Sequence, residues 1–246
     1  MGWDEIPTDV NLFVLPGGLP APTDDGAATH LTGAPVPSVR LRSTRGRVVD
    51  VAGAAEHRTV FFLYPATVAP GIPIPGEWSE IPGARGCTLE NCGFRDAYAA
   101  IRDTGCEVFG VSGQGQEDPA QGWAEQVELA ERLHLPYELL NDSRFELVRA
   151  LRLPTFVASL RNPTVAFEGR TSSFPLQGRT LVRRLTFVAD RGRIEKVFYP
   201  VFPPDRHANE VLAYLERAAD ASPVGVRDRG ERLVPEPVST RPERSL

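Results

Sequence analysis

The chain is poor in the residues that build the commonest metal and disulfide architectures. It has three cysteines and four histidines in 246 residues, one methionine, and a single lysine, Lys196. So few cysteines in so long a chain do not make a disulfide scaffold, and a reducing, cytoplasmic setting is expected. The histidines, at 30, 57, 134 and 207, are scattered, and no C-x-x-C pair occurs. Both observations argue against a zinc clip, and the second against a thioredoxin-type dithiol. No apolar run approaches the ~18 residues of a membrane span. "MGWDEIPTDV" at the N-terminus has no basic segment followed by an apolar one, so no secretory signal is expected. A net charge of −5 disfavours nucleic acid and anionic membranes as partners. "SGQGQE" lacks the G-x-G-x-x-G order and a lysine, which speaks against a nucleotide loop. No cofactor and no metal are expected.

What remains is ordinary globular material, 41% hydrophobic and 24% charged, enough for one sizeable core. Residues 1–36 are rich in Pro, Gly, Asp and Ala and read as an irregular arm. Residues 37–219 read as the folded domain. Residues 220–246 are Pro-rich and charged with few large apolar groups, so they read as a disordered tail. Inside the domain, "SVRLRSTRGRVVDVAG" predicts a hairpin turning at Arg45-Gly46, and "TVFFLYP" a buried strand stopped by Pro65. Phe94, Tyr98 and Ile101 share one face of a helix that Gly105 ends. "CEVFGVS" and "YELL" read as strands. Asp118-Pro119 opens a helix carrying Trp123, Val127 and Ala130. Ser143 and Glu146 form a capping-box pattern ahead of a short helix. "LVRRLTFVAD" and "RIEKVFYPV" predict a hairpin at Arg191-Gly192, and Asp205 precedes a last helix with Ala208, Val211, Leu212 and Leu215. The order hairpin, β, α, β, α, β, short α, β-hairpin, α predicts an α/β fold. Its expected form is thioredoxin-like, one central mixed sheet flanked by helices, with an N-terminal β-hairpin.

The chemistry concentrates in "PGARGCTLENCGFRD", residues 82–96, where Cys87 and Cys92 stand five positions apart. Cys87 follows a Pro/Gly-rich loop and opens a helix, where free N–H groups and the dipole favour an anion, with Arg85 two residues before it. That is the environment of a reactive thiol rather than a structural one. Five residues of regular helix turn about 500° and rise ~7.5 Å, so the two side chains diverge. A disulfide needs converging Cβ atoms and Cα atoms within ~7 Å. The pair therefore joins only if the first turn unwinds, and Gly93, a poor helix former, lowers that cost. Cys106 opens a predicted buried strand and reads as core.

"GCTLENCGFRD" resembles the active-site motif of the peroxiredoxin Q (bacterioferritin comigratory protein) subfamily, and "YP" at the end of the preceding strand matches as well. "VRRLTFVADRGRIEKVF" is similar to the strand-turn-strand that carries the family's active-site arginine. The resemblance spans about Pro35 to Leu215. It implies a thioredoxin-like fold and a thiol peroxidase reducing hydrogen peroxide or organic hydroperoxides. It makes Cys87 the peroxidatic cysteine, Cys92 the resolving cysteine, and Arg184 the arginine that steadies thiolate and peroxide. It also implies a thioredoxin-like dithiol as reductant and a monomer or weak homodimer. Rival readings of the same cysteines are a thiol–disulfide oxidoreductase acting on proteins, and a redox sensor without turnover. The sequence departs from the family where a Thr or Ser is common three residues before the catalytic cysteine: here stands Ala84. Thr67, just past Pro65 at a strand end, is the nearest replacement hydroxyl. An insertion over 71–85 and a long connection over 161–180 are further departures, both positioned to reshape access to the thiol.

Overall fold

The computed structural model describes residues 12–221, apart from 70 and 168. The rest of the expected arm, 1–11, and of the expected tail, from 222 onward, lies outside the described residues. A seven-stranded mixed sheet runs in the order β11-β10-β3-β4-β5-β1-β2. Its centre is the parallel trio β3 (Thr59–Leu63), β4 (Glu107–Ser112) and β5 (Glu138–Asn141). On one side, β10 (Leu185–Asp190) lies antiparallel to β3 and turns into β11 (Arg193–Phe198). On the other, the hairpin of β1 (Arg40–Ser43) and β2 (Val48–Asp50) lies antiparallel to β5. The expected thioredoxin-like fold is what forms.

Both faces of the sheet are covered, which is why β3 is apolar without interruption. Phe61 and Leu63 point to one face, into a core shared with α1 (Val51–Ala54) and α5 (Glu146–Ala150). Val60 and Phe62 point to the other, against α3 (Cys87–Asp103), α4 (Pro119–Arg132) and α6 (His207–Ala221). Phe62 stacks on Phe94 of α3 at 4.1 Å between ring centroids. This contact seats the middle of α3 on β3 and so fixes where its first turn, bearing Cys87, must lie.

The described part of the arm, 12–36, has no regular element and is tightly held. Leu31 is fully buried, and Gly33, Ala34 and Val36 exchange backbone hydrogen bonds with Gly192 and Ile194 at the β10–β11 turn. Three local expectations are corrected. Ser143 does not cap α5: the N-cap is Phe145, and the first N–H groups, of Glu146, Leu147 and Val148, donate to the carboxylate of Asp142. A carboxylate with two oxygens satisfies three orphan donors where one hydroxyl satisfies fewer. In α4 the buried stripe is Gly122, Gln126 and Leu129, one position off the expected Trp123, Val127 and Ala130, which flank it half-buried. The stripe tracks Gln126, whose amide is needed inside for Tyr64 and Leu140. Finally, "LVRR" does not join β10. Thr180–Val182 forms β9, which pairs with β6 (Thr155–Val157) in a separate two-stranded sheet, and Arg183 and Arg184 make the bend between.

The insertion and the long connection fold against each other. The insertion carries α2 (Gly76–Glu80), and the connection carries the hairpin of β7 (Thr164–Phe167) and β8 (Arg170–Ser173). Trp78 of α2 lies edge-on to Phe174, and Glu77 accepts from the backbone N–H groups of Arg161 and Asn162. With Ala84, Leu176 and Leu181 they bury a third apolar cluster beside the thiol.

Candidate active site

Gly86 sets the geometry. It caps α3 with φ +98°, in the left-handed region, and a Cβ there would sit 2.3 Å from Pro204 and 3.1 Å from Leu15. Only glycine allows the chain to turn under both residues. Cys87 follows as the first helical residue, with a side chain almost wholly buried.

Arg184 reaches this thiol from the bend before β10. Its Nη2 lies 3.2 Å from Cys87 Sγ and donates to the carbonyls of Arg85, at 3.2 Å, and Gly83, at 3.4 Å. Its Nη1 bonds the carboxylate of Glu90, one helical turn beyond Cys87. The arginine is 1% exposed and Glu90 0%. Two charges so deeply buried are costly unless paired, and the pair fixes the guanidinium against the sulfur. Burial pushes the Glu90 carboxyl up, and Arg184 and His207 pull it back only in part. Burial alone would lower the Arg184 pKa, but Glu90 and Cys87 hold it above its usual value. Behind the pair, His207 Nε2 lies 2.7 Å from Thr186 Oγ1, tying the start of α6 to β10.

Thr67 lines the same small cavity as Cys87, about 30 Å³, and is buried. Its backbone N–H and its hydroxyl both donate to Gln114 Oε1, at 3.1 and 3.2 Å. With its proton engaged, the hydroxyl presents lone pairs, so it can accept from a small hydroxylic molecule in the cavity. Further walls come from Leu12, Val14 and Leu15 of the arm, Ile74 and Trp78 of the insertion, and Phe174 and Leu176 of the connection.

Cys92 is free and buried in the same regular helix, and its charged neighbours are Arg95, Asp96 and Arg132 rather than Arg184. Burial pushes its thiol up. Asn91 Nδ2 donates to the Cys87 carbonyl at 2.9 Å, holding the intervening turn closed. Cys106 is fully buried just before β4, among the apolar residues under α3.

The four residues singled out from the sequence thus lie in two groups. Cys87 and Thr67 line one cavity, Arg184 bonds the Cys87 sulfur without lining that cavity, and Cys92 lies apart on the helix. Glu90 and Gln114 were missed. Glu90 carried a signal, three residues after Cys87 and on its side of the helix, but an acidic residue in a first turn reads equally as a partner of the dipole. Gln114, in the loop after β4, gave none.

Residues 81–197 match the AhpC/TSA family. The chain is 26% identical to peroxiredoxin Q of Gentiana triflora over 213 residues, 84% of this chain and 79% of that protein. To peroxiredoxin Q of Arabidopsis thaliana it is 25% identical, over 76% of this chain and 67% of the relative. The crystal structure of the peroxidoxin BcpB of Mycobacterium tuberculosis superposes with a TM-score of 0.51 at 24% identity, covering 76% of this chain and 97% of that one, a likeness of fold. The chain is thus similar to the AhpC/TSA family over residues 81–197 and to peroxiredoxin Q proteins over a longer span, and both likenesses point to an enzyme of the peroxiredoxin class.

Proposed function

We propose that Cys87 is the peroxidatic cysteine and Cys92 the resolving cysteine of a thiol peroxidase. The observation that carries this reading is the Arg184 guanidinium 3.2 Å from a buried Cys87 sulfur at a helix start. The Cys87 thiolate attacks one peroxide oxygen and the O–O bond breaks. The leaving oxygen takes a proton and departs as water or an alcohol, and Cys87 becomes a sulfenic acid. Arg184 offers planar, permanently charged donors to the sulfur and to the oxygens as charge moves between them. Thr67 accepts the peroxide O–H and so orients the attacked oxygen. The Cys92 thiol then displaces the sulfenic hydroxyl as water, giving a Cys87–Cys92 disulfide. A thioredoxin-like dithiol returns both thiols by exchange.

Hydrogen peroxide and organic hydroperoxides are the substrates of this reading, and a reducing cytoplasm its setting. The disulfide closes within one chain, so a monomer or a weak homodimer suffices. The test is a peroxidase assay with hydrogen peroxide and an organic hydroperoxide, coupled to a thioredoxin system. Sustained turnover that Cys87→Ser abolishes is the expected result. Oxidation of the cysteines without turnover points instead to a sensor. Reduction or isomerisation of protein disulfides with no peroxide activity points to an oxidoreductase of that class.

A further inference from the structure

A second cavity lies away from the thiol, on the α4 side of the sheet, where α4 leaves the outer strands uncovered. It measures about 370 Å³, the size range of small-ligand sites, and its walls come from β1, the start of α4 and the turn after β5. Arg40 and Arg42 alternate with buried Leu41 along β1, so both project into this cavity, and Arg144 enters from the opposite wall.

Some arginines elsewhere have carboxylate partners: Arg47 has Glu138, Arg58 has Glu195, Arg132 has Glu128 and Arg184 has Glu90. Arg40, Arg42 and Arg144 have none among the described residues. Two carboxylates line the cavity, Asp142 and Glu146. Asp142 is 1% exposed, and its oxygens are taken by three backbone N–H groups at the start of α5. The cavity therefore carries an excess of positive charge on a protein whose net charge is −5.

Arg42 is also held in place. Its guanidinium carbon sits over the Trp123 ring, 3.5 Å from the centroid, and the indole N–H of Trp123 donates to the Ser43 carbonyl at 2.8 Å. Stacking occupies one face of the guanidinium and leaves its N–H edge to bind. An arginine fixed this way gives up little freedom when it grips an oxyanion with two parallel hydrogen bonds. From these observations we infer that the cavity is a binding site for a small, multiply charged oxyanion of the phosphate class, gripped by Arg42 with Arg40 and Arg144 closing around it.

The test is titration of the full chain with pyrophosphate at low salt, followed by calorimetry and by tryptophan fluorescence. Adenosine diphosphate and citrate are parallel probes. Saturable binding by pyrophosphate is expected, weakened roughly tenfold or more in Arg42→Ala and in Arg144→Ala. Arg42→Lys, which keeps the charge but loses the stacked fork, should weaken it as well. Tighter binding of adenosine diphosphate would assign a nucleotide, equal binding a bare phosphate group. Binding of citrate alone overturns the phosphate class. Absence of saturable binding overturns the site, as does binding that Arg42→Ala and Arg144→Ala leave unchanged. Retained peroxide turnover in Arg144→Ala shows that the variant is folded, so loss of binding there reports on the cavity.

Discussion

At the scale of single residues, the site is one buried charge pair holding a sulfur. Arg184 has two tasks, to face Cys87 and to neutralise Glu90, and a lysine can do only part of either. Arg184→Lys should lower the single-turnover oxidation rate of Cys87 by about two orders of magnitude, ~2.7 kcal/mol, in stopped-flow measurements. A near-native rate would remove Arg184 from the chemistry. Glu90→Gln keeps the shape and loses the charge, leaving Arg184 buried without its carboxylate. The expected fall is smaller, about tenfold, because one amide oxygen still positions the guanidinium. Unchanged kinetics would make Glu90 a structural group only. Cys87, Cys92, Arg184 and Thr67 were named from the sequence, by motif, by resemblance or by a strand end. Glu90 and Gln114 were not read as partners. What assigns them is a contact with a residue more than forty positions away, 94 in the case of Glu90 and 47 in that of Gln114.

At the scale of elements, the proposed resolution step requires the first turn of α3 to move. Cys87 to Asp103 is one continuous helix with both thiols free. Closing a disulfide over five residues requires that turn to open, breaking the Asn91 bond to the Cys87 carbonyl and the Gly86–Glu90 backbone bond. One equivalent of peroxide should therefore give an intramolecular Cys87–Cys92 link by peptide mapping, with loss of about a turn of helix by circular dichroism. A link to Cys106, or only intermolecular dimers, would contradict this. The hairpin β1–β2 supplies a pH-dependent test. Burial pushes the Glu138 carboxyl up, but hydrogen bonds from Arg47 and Ser43 and the charges of Arg47 and Arg45 hold it below its ordinary value. A depressed carboxyl contributes stability above its unfolded pKa, and that contribution fades as pH falls through the folded one. The stability lost in Glu138→Gln, by urea unfolding, should be largest near pH 7 and shrink toward pH 3. A gap that grows on acidification would reverse the assignment.

Elements with a clear period were legible: β3 and β4 as apolar runs, α3 by its face, the hairpins by their Gly turns. The displaced α4 stripe was not, because Gln126 is buried for its hydrogen bonds and not its hydropathy. Nor was the Asp142 carboxylate at the start of α5, which reaches three N–H groups only once the chain bends at Phe145, at φ +53°.

At the scale of the whole molecule, segments outside the sheet core wall the candidate site. Leu15 of the arm, Trp78 of the insertion and Phe174 of the connection all line the Cys87 cavity, and the sequence showed the two loops as departures without showing that they fold together. Trp78 is 3% exposed, so Trp78→Ala should cost roughly 3–5 kcal/mol of stability in denaturant unfolding. A loss under about 1 kcal/mol would mean that the insertion is not packed as described. The most direct test of the account as a whole is mass spectrometry of Cys92→Ser after one equivalent of peroxide, with a sulfenic-acid trap present. The expected result is one equivalent consumed, the trap on Cys87 alone, and no further turnover with a thioredoxin system. A trap on Cys106, or peroxide consumption that persists in Cys87→Ser, would contradict it.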